Sequence, residues 1–279
     1  MNGIVDVGGG ERGIFGAGIF DWCLDHGVTF DYLIGVSAGS ANEASFLAGQ
    51  KGRNYQFYTN YSFRKDYMSF RNMITKGNYI DLEYIYGDAL TNSGGENPLN
   101  FEQIMKSGRT FRIVATDAVT GKPVYFDSHD MVQDDYGAIK ASSCVPVASK
   151  PYAWKGGIYF DGGLSDPIPF QKAFDAGCEK VIVILTRPRH YYRNSSKDQK
   201  FAWFMKKWPM AAEALKKRAE TYNRELDEAI SLERQGKILI LAPDSIEGMD
   251  TLTKDRQKII DLYHKGQKEA EKIPAFLNL

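Results

Sequence analysis

Short apolar runs alternate with segments of helical pattern near the N-terminus of the chain. GIVDV is followed by IFGAGIFDWCLDHG, and DYLIGVS is followed by AGSANEASFLAG. Apolar runs that are bounded by glycine and followed by helices are typical of βαβ units, whose strands lie parallel in one sheet. Three later runs, FRIVATDA, VIVILT and KILILA, suit strands that are buried on both faces. The sequence therefore predicts an α/β fold with a mostly parallel central sheet.

Nothing in the sequence divides the chain into separate domains. Its 279 residues fit one large domain or two small ones, and it contains no repeat, low-complexity tract or Pro/Gly/Ser-rich linker. We therefore expect a single domain over residues 1–279. Two segments rich in aromatic residues, 55–86 and 200–210, are candidates for a lid or cap over an apolar pocket. Inward packing of their aromatic side chains is the more common arrangement.

Charge and cysteine content exclude several classes of function. Lys plus Arg and Asp plus Glu both total 35, so no net field attracts nucleic acid, and any membrane contact must be local. Three widely spaced cysteines without a CxxC pair argue against a disulfide framework and a zinc site. The chain also lacks a signal-peptide pattern and any run of ~18 apolar residues. We expect a cytoplasmic protein with, at most, peripheral membrane contact.

The most informative motif is GVSAGS, which matches the GxSxG pattern of a serine nucleophile on a sharp turn between a strand and a helix. Gly35 and Gly39 lack the side chains that would collide where the strand and the helix pass closely. Such a turn exposes the Ser37 hydroxyl at a helix N-terminus, where negative charge is favoured. A tight turn with a capping serine would give the same pattern.

A second motif, GGGERG, follows the first predicted strand. Gly8, Gly9 and Gly10 can direct bare N–H groups at an anion, which makes the loop a candidate oxyanion hole. The same string satisfies GxGxxG through Gly13, so a phosphate- or nucleotide-binding protein is the alternative. This alternative is weaker, because the second strand does not end in the acidic residue of a Rossmann site and no Walker lysine follows the glycines.

Asp161 is one candidate for the general base that a serine nucleophile requires. It ends the second strand of a predicted hairpin, AWKGGIYFDGG, whose turn we assign to Gly156 and Gly157. Gly162 and Gly163 follow it and leave room beside the carboxylate. A carboxylate can accept the serine proton if its site raises its pKa by desolvation.

Histidine is the other candidate base, as in a Ser-His-acid esterase. His190, which follows the run VIVILT, is the best placed of the four histidines. The other three lie in turn-like or charged surroundings: His26, His129 and His264. In an α/β-hydrolase, however, the nucleophile follows several strands, whereas Ser37 follows the second predicted strand.

Four segments taken together resemble the patatin-like phospholipase family in their order and spacing: GGGERG, GVSAGS, ASSCVP at 141–146 and DGGLSDPIP at 161–169. The similarity extends over about residues 3–185, and residues 187–279 carry no motif of the family. It implies a three-layer α/β/α fold and a Ser–Asp dyad without a catalytic histidine. Ser37 would be the nucleophile and Asp161 the base.

The resemblance also implies the substrate and the remaining site residues. Gly8, Gly9 and Gly10 would supply the oxyanion-hole N–H groups, and Arg12 stands where the family has a positively charged residue, although it could equally be a surface residue. The implied substrate is an acyl ester of a lipid, such as a phospholipid, lysophospholipid or acylglycerol. No metal, organic cofactor or nucleic-acid partner is expected.

Overall fold

A single sheet of eight strands organises the computed structural model, which describes all residues from 1 to 279. The strands are β1 (Asn2–Asp6), β2 (Tyr32–Val36), β3 (Thr110–Asp117), β4 (Pro123–Asp127), β5 (Tyr152–Trp154), β6 (Gly157–Asp161), β7 (Lys180–Ile184) and β8 (Ile238–Leu241). Their order across the sheet is β5-β6-β3-β2-β1-β7-β8, and β4 pairs with β3. Strands β1, β2, β3, β7 and β8 are parallel, as the sequence predicts, whereas β4, β5 and β6 pair antiparallel.

Twelve helices accompany the sheet. They are α1 (Ile14–Asp25), α2 (Ala38–Leu47), α3 (Arg53–Thr59), α4 (Phe70–Lys76), α5 (Leu82–Tyr86), α6 (Phe101–Lys106), α7 (Gly137–Ser142), α8 (Phe170–Asp175), α9 (Ser196–Ala202), α10 (Pro209–Arg234), α11 (Arg256–Ala270) and α12 (Ile273–Leu277). None of them combines the length and the apolar character that crossing a membrane requires.

Alternate residues of the parallel strands face two separate apolar cores. Ile4 and Leu33 pack with α1, α2 and α11 on one face of the sheet, while Val5 and Ile34 pack with α8 and α10 on the other. Strands that are apolar on both faces must be covered on both faces. The three-layer α/β/α architecture is therefore confirmed.

The C-terminal part of the chain packs against the N-terminal part through very close backbone contacts. A Cβ atom on Gly18 of α1 would overlap the carbonyl oxygen of Tyr263, and one on Gly266 of α11 would overlap that of Phe15. The apolar residues of α11 also belong to the same core as Ile4 of β1. On this basis we propose that residues 1–279 fold as one domain.

The two aromatic-rich segments differ in where they direct their side chains. Residues 55–86 contribute several buried aromatic and aliphatic side chains to the main core. In the segment 200–210, by contrast, Ala202 and Met205 are buried while Phe201, Trp203 and Phe204 are exposed. The expectation of inward packing is correct for the first segment. It is wrong for most aromatic residues of the second segment, because Ala202 and Met205 occupy the positions that face the core.

Candidate active site

Ser37 lies on the turn between β2 and α2 in a strained backbone conformation. Its φ of 56° and ψ of −129° belong to a region that residues with a side chain rarely adopt. The flanking glycines permit this turn, because a Cβ on Gly35 would collide with the backbone of Ser40 and one on Gly39 with the carbonyl of Asp6. The Ser37 N–H donates to the Ser142 hydroxyl at 2.8 Å. The turn is thus fixed from both sides.

The pairing of β3 brings Asp161 to Ser37. β2 pairs with one edge of β3, and its last residue, Val36, lies opposite Val114. β6 pairs with the next stretch of the same edge, and its last residue, Asp161, lies opposite Ala115. β4 occupies the other edge, since it pairs with both of these β3 residues. The C-terminal ends of β2 and β6 therefore meet head to head along one edge. The residue after Val36 is Ser37, so the two motif residues become neighbours.

The carboxylate of Asp161 is buried, and its surroundings act on its pKa in opposite directions. Burial raises the pKa of Asp161, whereas the neighbouring Ser37 hydroxyl and the Gly163 N–H, which donates to Oδ1 at 2.8 Å, lower it. Ser37 is within reach of the carboxylate but makes no hydrogen bond of standard geometry with it, and such bonds often tighten only around a substrate. A Cβ on Gly162 would overlap the carbonyl of Val114.

The glycine loop lies against the Ser37 turn. Gly8, Gly9 and Gly10 all have positive φ, at 62°, 127° and 60°, a conformation that suits glycine. A Cβ on Gly8 would overlap the carbonyl of Val36 and crowd the first N–H groups of α2. The Gly8 N–H donates to Oδ1 of Asp6 at 2.9 Å, whereas the N–H groups of Gly9 and Gly10 have no partner in the chain. Of the three glycines, Gly9 and Gly10 therefore have the free donors.

A buried polar network supports this loop from below, and sequence reasoning missed it. The amide of Asn42 donates to Oδ2 of Asp6 and to the carbonyl of Gly13, both at 2.8 Å. Burial raises the pKa of Asp6 to about 6, although the hydrogen bonds from Asn42 and Gly8 act to lower it. The position of Asp6, directly before the glycines at the end of an apolar strand, is the signal that could have identified it. The Asp6 carboxylate already accepts a hydrogen bond from the glycine loop, and its negative charge would repel a phosphate bound by the same loop.

Arg12 is a buried residue of this site and not a surface residue. It is 5% exposed, it forms no ion pair, and its one hydrogen bond goes from Nη1 to the Thr251 hydroxyl at 3.2 Å. Its Nη2 lies against Gly9. Burial, together with Arg187 and Arg193, lowers the pKa of Arg12 to about 9. Positive charge is therefore concentrated behind the glycine loop.

Two further arginines share one buried carboxylate in the same region. Nε of Arg193 and Nε of Arg218 approach Oδ2 of Asp198 at 3.3 and 2.9 Å, and both arginines lower the pKa of Asp161. Arg187 forms no ion pair and stacks on Tyr191, with 4.3 Å between the guanidinium carbon and the ring centre. Of these four arginines only Arg12 is buried, and Asp198 is the one carboxylate with which any of them forms an ion pair.

A largely apolar cleft opens beside Ser37 and Gly10. The space between its walls amounts to roughly 720 Å³ when the open mouth is included. Most of its apolar lining comes from the segment 55–86: Phe57, Tyr67, Ile80, Leu82 and Ile85. Thr251 and Leu252 also line it, and the carbonyl of Thr251 accepts from the Glu11 N–H at 2.9 Å. The C-terminal third therefore takes part in the cleft, although no motif marks it.

The four histidines lie away from this arrangement. All are exposed to solvent and none lines the cleft: His26, His129, His190 and His264. The ring of His26 stacks on Trp22, and the ring of His264 contacts Gln267. The site residues that the motifs single out are the ones that the fold brings together.

Two family models match parts of this chain. The model of the patatin-like phospholipase family matches residues 7–174, and that of a domain of unknown function (DUF6363) matches residues 208–277. The uncharacterized protein YjjU of Escherichia coli (strain K12) is 30% identical over 212 residues, 74% of this chain and 56% of YjjU. Lysophospholipase NTE1 of Lodderomyces elongisporus is 26% identical over 188 residues, 65% of this chain and 12% of NTE1.

A solved structure resembles the whole fold. VipD from Legionella pneumophila has a TM-score of 0.51 at 12% sequence identity, and the match covers 98% of this chain and 66% of VipD. The similarity in sequence is low, so it concerns the fold. The chain spans about half the length of YjjU and a much smaller share of NTE1.

Proposed function

The chain belongs to the patatin-like phospholipase family, and on this premise we propose that it is a serine hydrolase that cleaves acyl esters of lipids. Ser37 is the proposed nucleophile and Asp161 the proposed general base. The observation that carries this proposal is their meeting along one edge of β3, with the glycine loop packed against the Ser37 turn.

In the proposed acylation step, Oγ of Ser37 attacks the ester carbonyl carbon while its proton passes to the carboxylate of Asp161. The oxyanion accepts hydrogen bonds from the free N–H groups of Gly9 and Gly10. The guanidinium of Arg12 behind the loop adds a favourable positive potential. When the tetrahedral intermediate collapses, Asp161 returns the proton to the departing alcohol, and the acyl group remains on Ser37.

In deacylation, a water molecule takes the place of the alcohol. Asp161 accepts a proton from this water as it attacks the acyl-enzyme, and the same loop binds the second oxyanion. Collapse of this intermediate breaks the bond to Oγ, which recovers its proton from Asp161. The fatty acid then leaves, and the enzyme returns to its starting state.

The surroundings of Ser37 favour a substrate with an apolar chain and an anionic head. The cleft lined by Tyr67 and Ile80 suits an acyl chain. On the side of Arg12, Arg193 and Arg218 share one carboxylate, that of Asp198, while Arg12 and Arg187 form no ion pair, and planar guanidinium groups bind phosphate well. Among lipid esters, we therefore propose phospholipids and lysophospholipids ahead of uncharged acylglycerols.

A fluorophosphonate probe tests the nucleophile directly. The wild-type protein should be labelled on the peptide that contains Ser37, as mass spectrometry would identify. Ser37→Ala should lose both labelling and hydrolysis of short acyl esters, and Asp161→Asn should lose most of both, because an amide cannot accept the proton.

His190→Gln is the matched control. It should react with the probe at the wild-type rate, because His190 is exposed and lies outside the cleft. Loss of labelling in this variant would replace the dyad with a Ser-His mechanism. A wild-type protein that resists the probe but binds a nucleotide would support the phosphate-binding alternative.

A further inference from the structure

The exposed surface of the segment 200–210 is aromatic and cationic. Trp203 and Phe204 are 62% and 67% exposed, and their rings pack edge to face with 5.1 Å between their centres. The ammonium group of Lys206 lies 4.1 Å from the centre of the Trp203 ring. Large aromatic side chains normally bury most of their area. Two adjacent ones that stand clear of the fold indicate a binding surface.

The inward side of this segment fixes it above the proposed base. Ala202 and Met205 belong to a small core that also contains Phe160 and Leu164, which lie immediately before and three residues after Asp161. The exposed rings are therefore held by a buried anchor and do not belong to a loose loop. A partner on this surface would lie close to the strand end that carries Asp161.

The charges on the segment indicate the chemistry of the partner. Lys200, Lys206 and Lys207 form no ion pair with any carboxylate of the chain, and the chain as a whole has equal numbers of acidic and basic residues. Free lysines around exposed aromatic rings suit a lipid headgroup region, where the rings enter the boundary layer and the ammonium groups meet anionic lipids. A second copy of this chain would present the same positive charges and be repelled.

We propose that the segment 200–210 docks the protein on an anionic lipid bilayer, with Trp203 and Phe204 inserted among the headgroups. This inference goes beyond ester hydrolysis and does not depend on it. Docking would bring the region around Asp161 to the surface where lipid substrates reside. The contact is local, as the balanced total charge requires.

Co-sedimentation with vesicles tests the docking without any measurement of catalysis. The full chain carrying Ser37→Ala, which cannot degrade the vesicles if the proposed function holds, is mixed with phosphatidylcholine vesicles that contain about one third phosphatidylserine. We expect binding that weakens with added salt and a blue shift of tryptophan fluorescence. Vesicles of phosphatidylcholine alone should bind much less.

Two variants in this background locate the surface. Trp203→Ser with Phe204→Ser should reduce partitioning by about tenfold or more through lost apolar insertion, and Lys206→Glu with Lys207→Glu should remove the preference for phosphatidylserine. Phe70→Ser, which removes a still more exposed ring (79%) from α4, is the control and should bind normally. Circular dichroism checks that each variant is folded.

Three results would overturn the proposal. The first is wild-type binding by the Trp203/Phe204 variant, and the second is an equal loss in Phe70→Ser, which would indicate unspecific hydrophobicity. The third is a dimer in analytical ultracentrifugation that the same Trp203/Phe204 variant dissociates, since the surface would then bind a second copy. Failure of the fluorophosphonate test would leave the vesicle result unaffected, so the two proposals fail separately.

Discussion

At the scale of single residues, the pKa of Asp161 controls when the proposed base is ionised. Burial raises this pKa, and the neighbouring Ser37 hydroxyl, the hydrogen bond from the Gly163 N–H and the charges of Arg218 and Arg193 oppose the rise. A base must be deprotonated to act, so kcat/KM for an uncharged ester should increase with pH through the pKa of Asp161 and then level off.

Substitution of Arg218 should change the pH at which kcat/KM rises. Arg218→Gln removes a positive charge that favours the ionised carboxylate, so the rise in kcat/KM should shift to higher pH. Arg218→Lys keeps the charge and should keep the wild-type profile. A profile that is unchanged in both variants would show that Asp161 does not limit the rate at low pH.

Gly10 combines a positive φ with a lack of space for any side chain. A Cβ at this position would overlap the carbonyl oxygen of Thr251, so Gly10→Val should distort the donor loop and lower kcat by about 10²- to 10³-fold. Gly27→Val is the control, because Gly27 also has positive φ, at 65°, but has open space around it. Equal activity of the two variants would exclude the loop as the oxyanion hole.

The motifs single out residues that the fold brings together, but they do not predict the surroundings of these residues. GxSxG and the consecutive glycines are local patterns, and the structure brings Ser37, Asp161 and the glycine loop together as the resemblance implies. The burial of Arg12 depends on Thr251, which is far away in sequence. Long-range contacts of this kind leave no periodic signal in either segment, so the sequence could not distinguish a buried arginine from an exposed one.

At the scale of elements, the contact between α1 and α11 requires glycine inside a helix. Helix propensity alone would make Gly266→Ala stabilising by about 1 kcal/mol. Because a Cβ on Gly266 would overlap the carbonyl oxygen of Phe15, we expect the variant to be destabilised, by about 1–3 kcal/mol, as overpacked sites are. The midpoint of urea unfolding measures this.

Gly94→Ala is the corresponding control, since Gly94 has an ordinary φ and nothing nearby. It should leave the urea midpoint within the small range of surface substitutions. A Gly266→Ala protein that is more stable than the wild type would mean that the two helices separate easily.

The positions of the strands in the sequence were largely predictable, but the way in which distant strands meet in the sheet was not. All five parallel strands coincide with apolar runs, because burial on both faces demands such runs. The hairpin is also present, but its turn residues with positive φ are Lys155 and Gly156, while Gly157 already belongs to β6. The head-to-head meeting of β2 and β6 on β3 is a matter of pairing between distant segments, which periodicity does not encode.

At the scale of the whole molecule, several buried carboxyl groups link stability to pH. Burial raises the pKa of Asp6 to about 6, those of Glu11 and Glu225 to about 8, and that of Glu43 well above its ordinary value. The folded protein therefore retains protons that the unfolded chain releases above about pH 4. This contribution to stability is complete below that pH and is lost as the pH rises through the folded-state values.

We therefore expect the free energy of unfolding in urea to fall as the pH rises from about 4 to about 8. Glu225→Gln should make this fall shallower, because the amide oxygen can still accept the hydrogen bond that Ile168 N–H donates to Oε2 at 2.9 Å but no longer titrates. A variant whose stability depends on pH as steeply as that of the wild type would show that Glu225 is not protonated in the folded state.

The backbone of Ser37 has a consequence for how such a protein can evolve. Its left-handed conformation suits glycine, and holding a residue with a side chain there costs about 1–3 kcal/mol. Folding free energy alone would thus favour the loss of the hydroxyl that the proposed chemistry needs. A stable, inactive relative is one substitution away, Ser37→Gly, and it would retain every other feature of the fold. Mutations that rigidify the scaffold cannot reduce this opposition between stability and reactivity, because it resides in a single pair of dihedral angles.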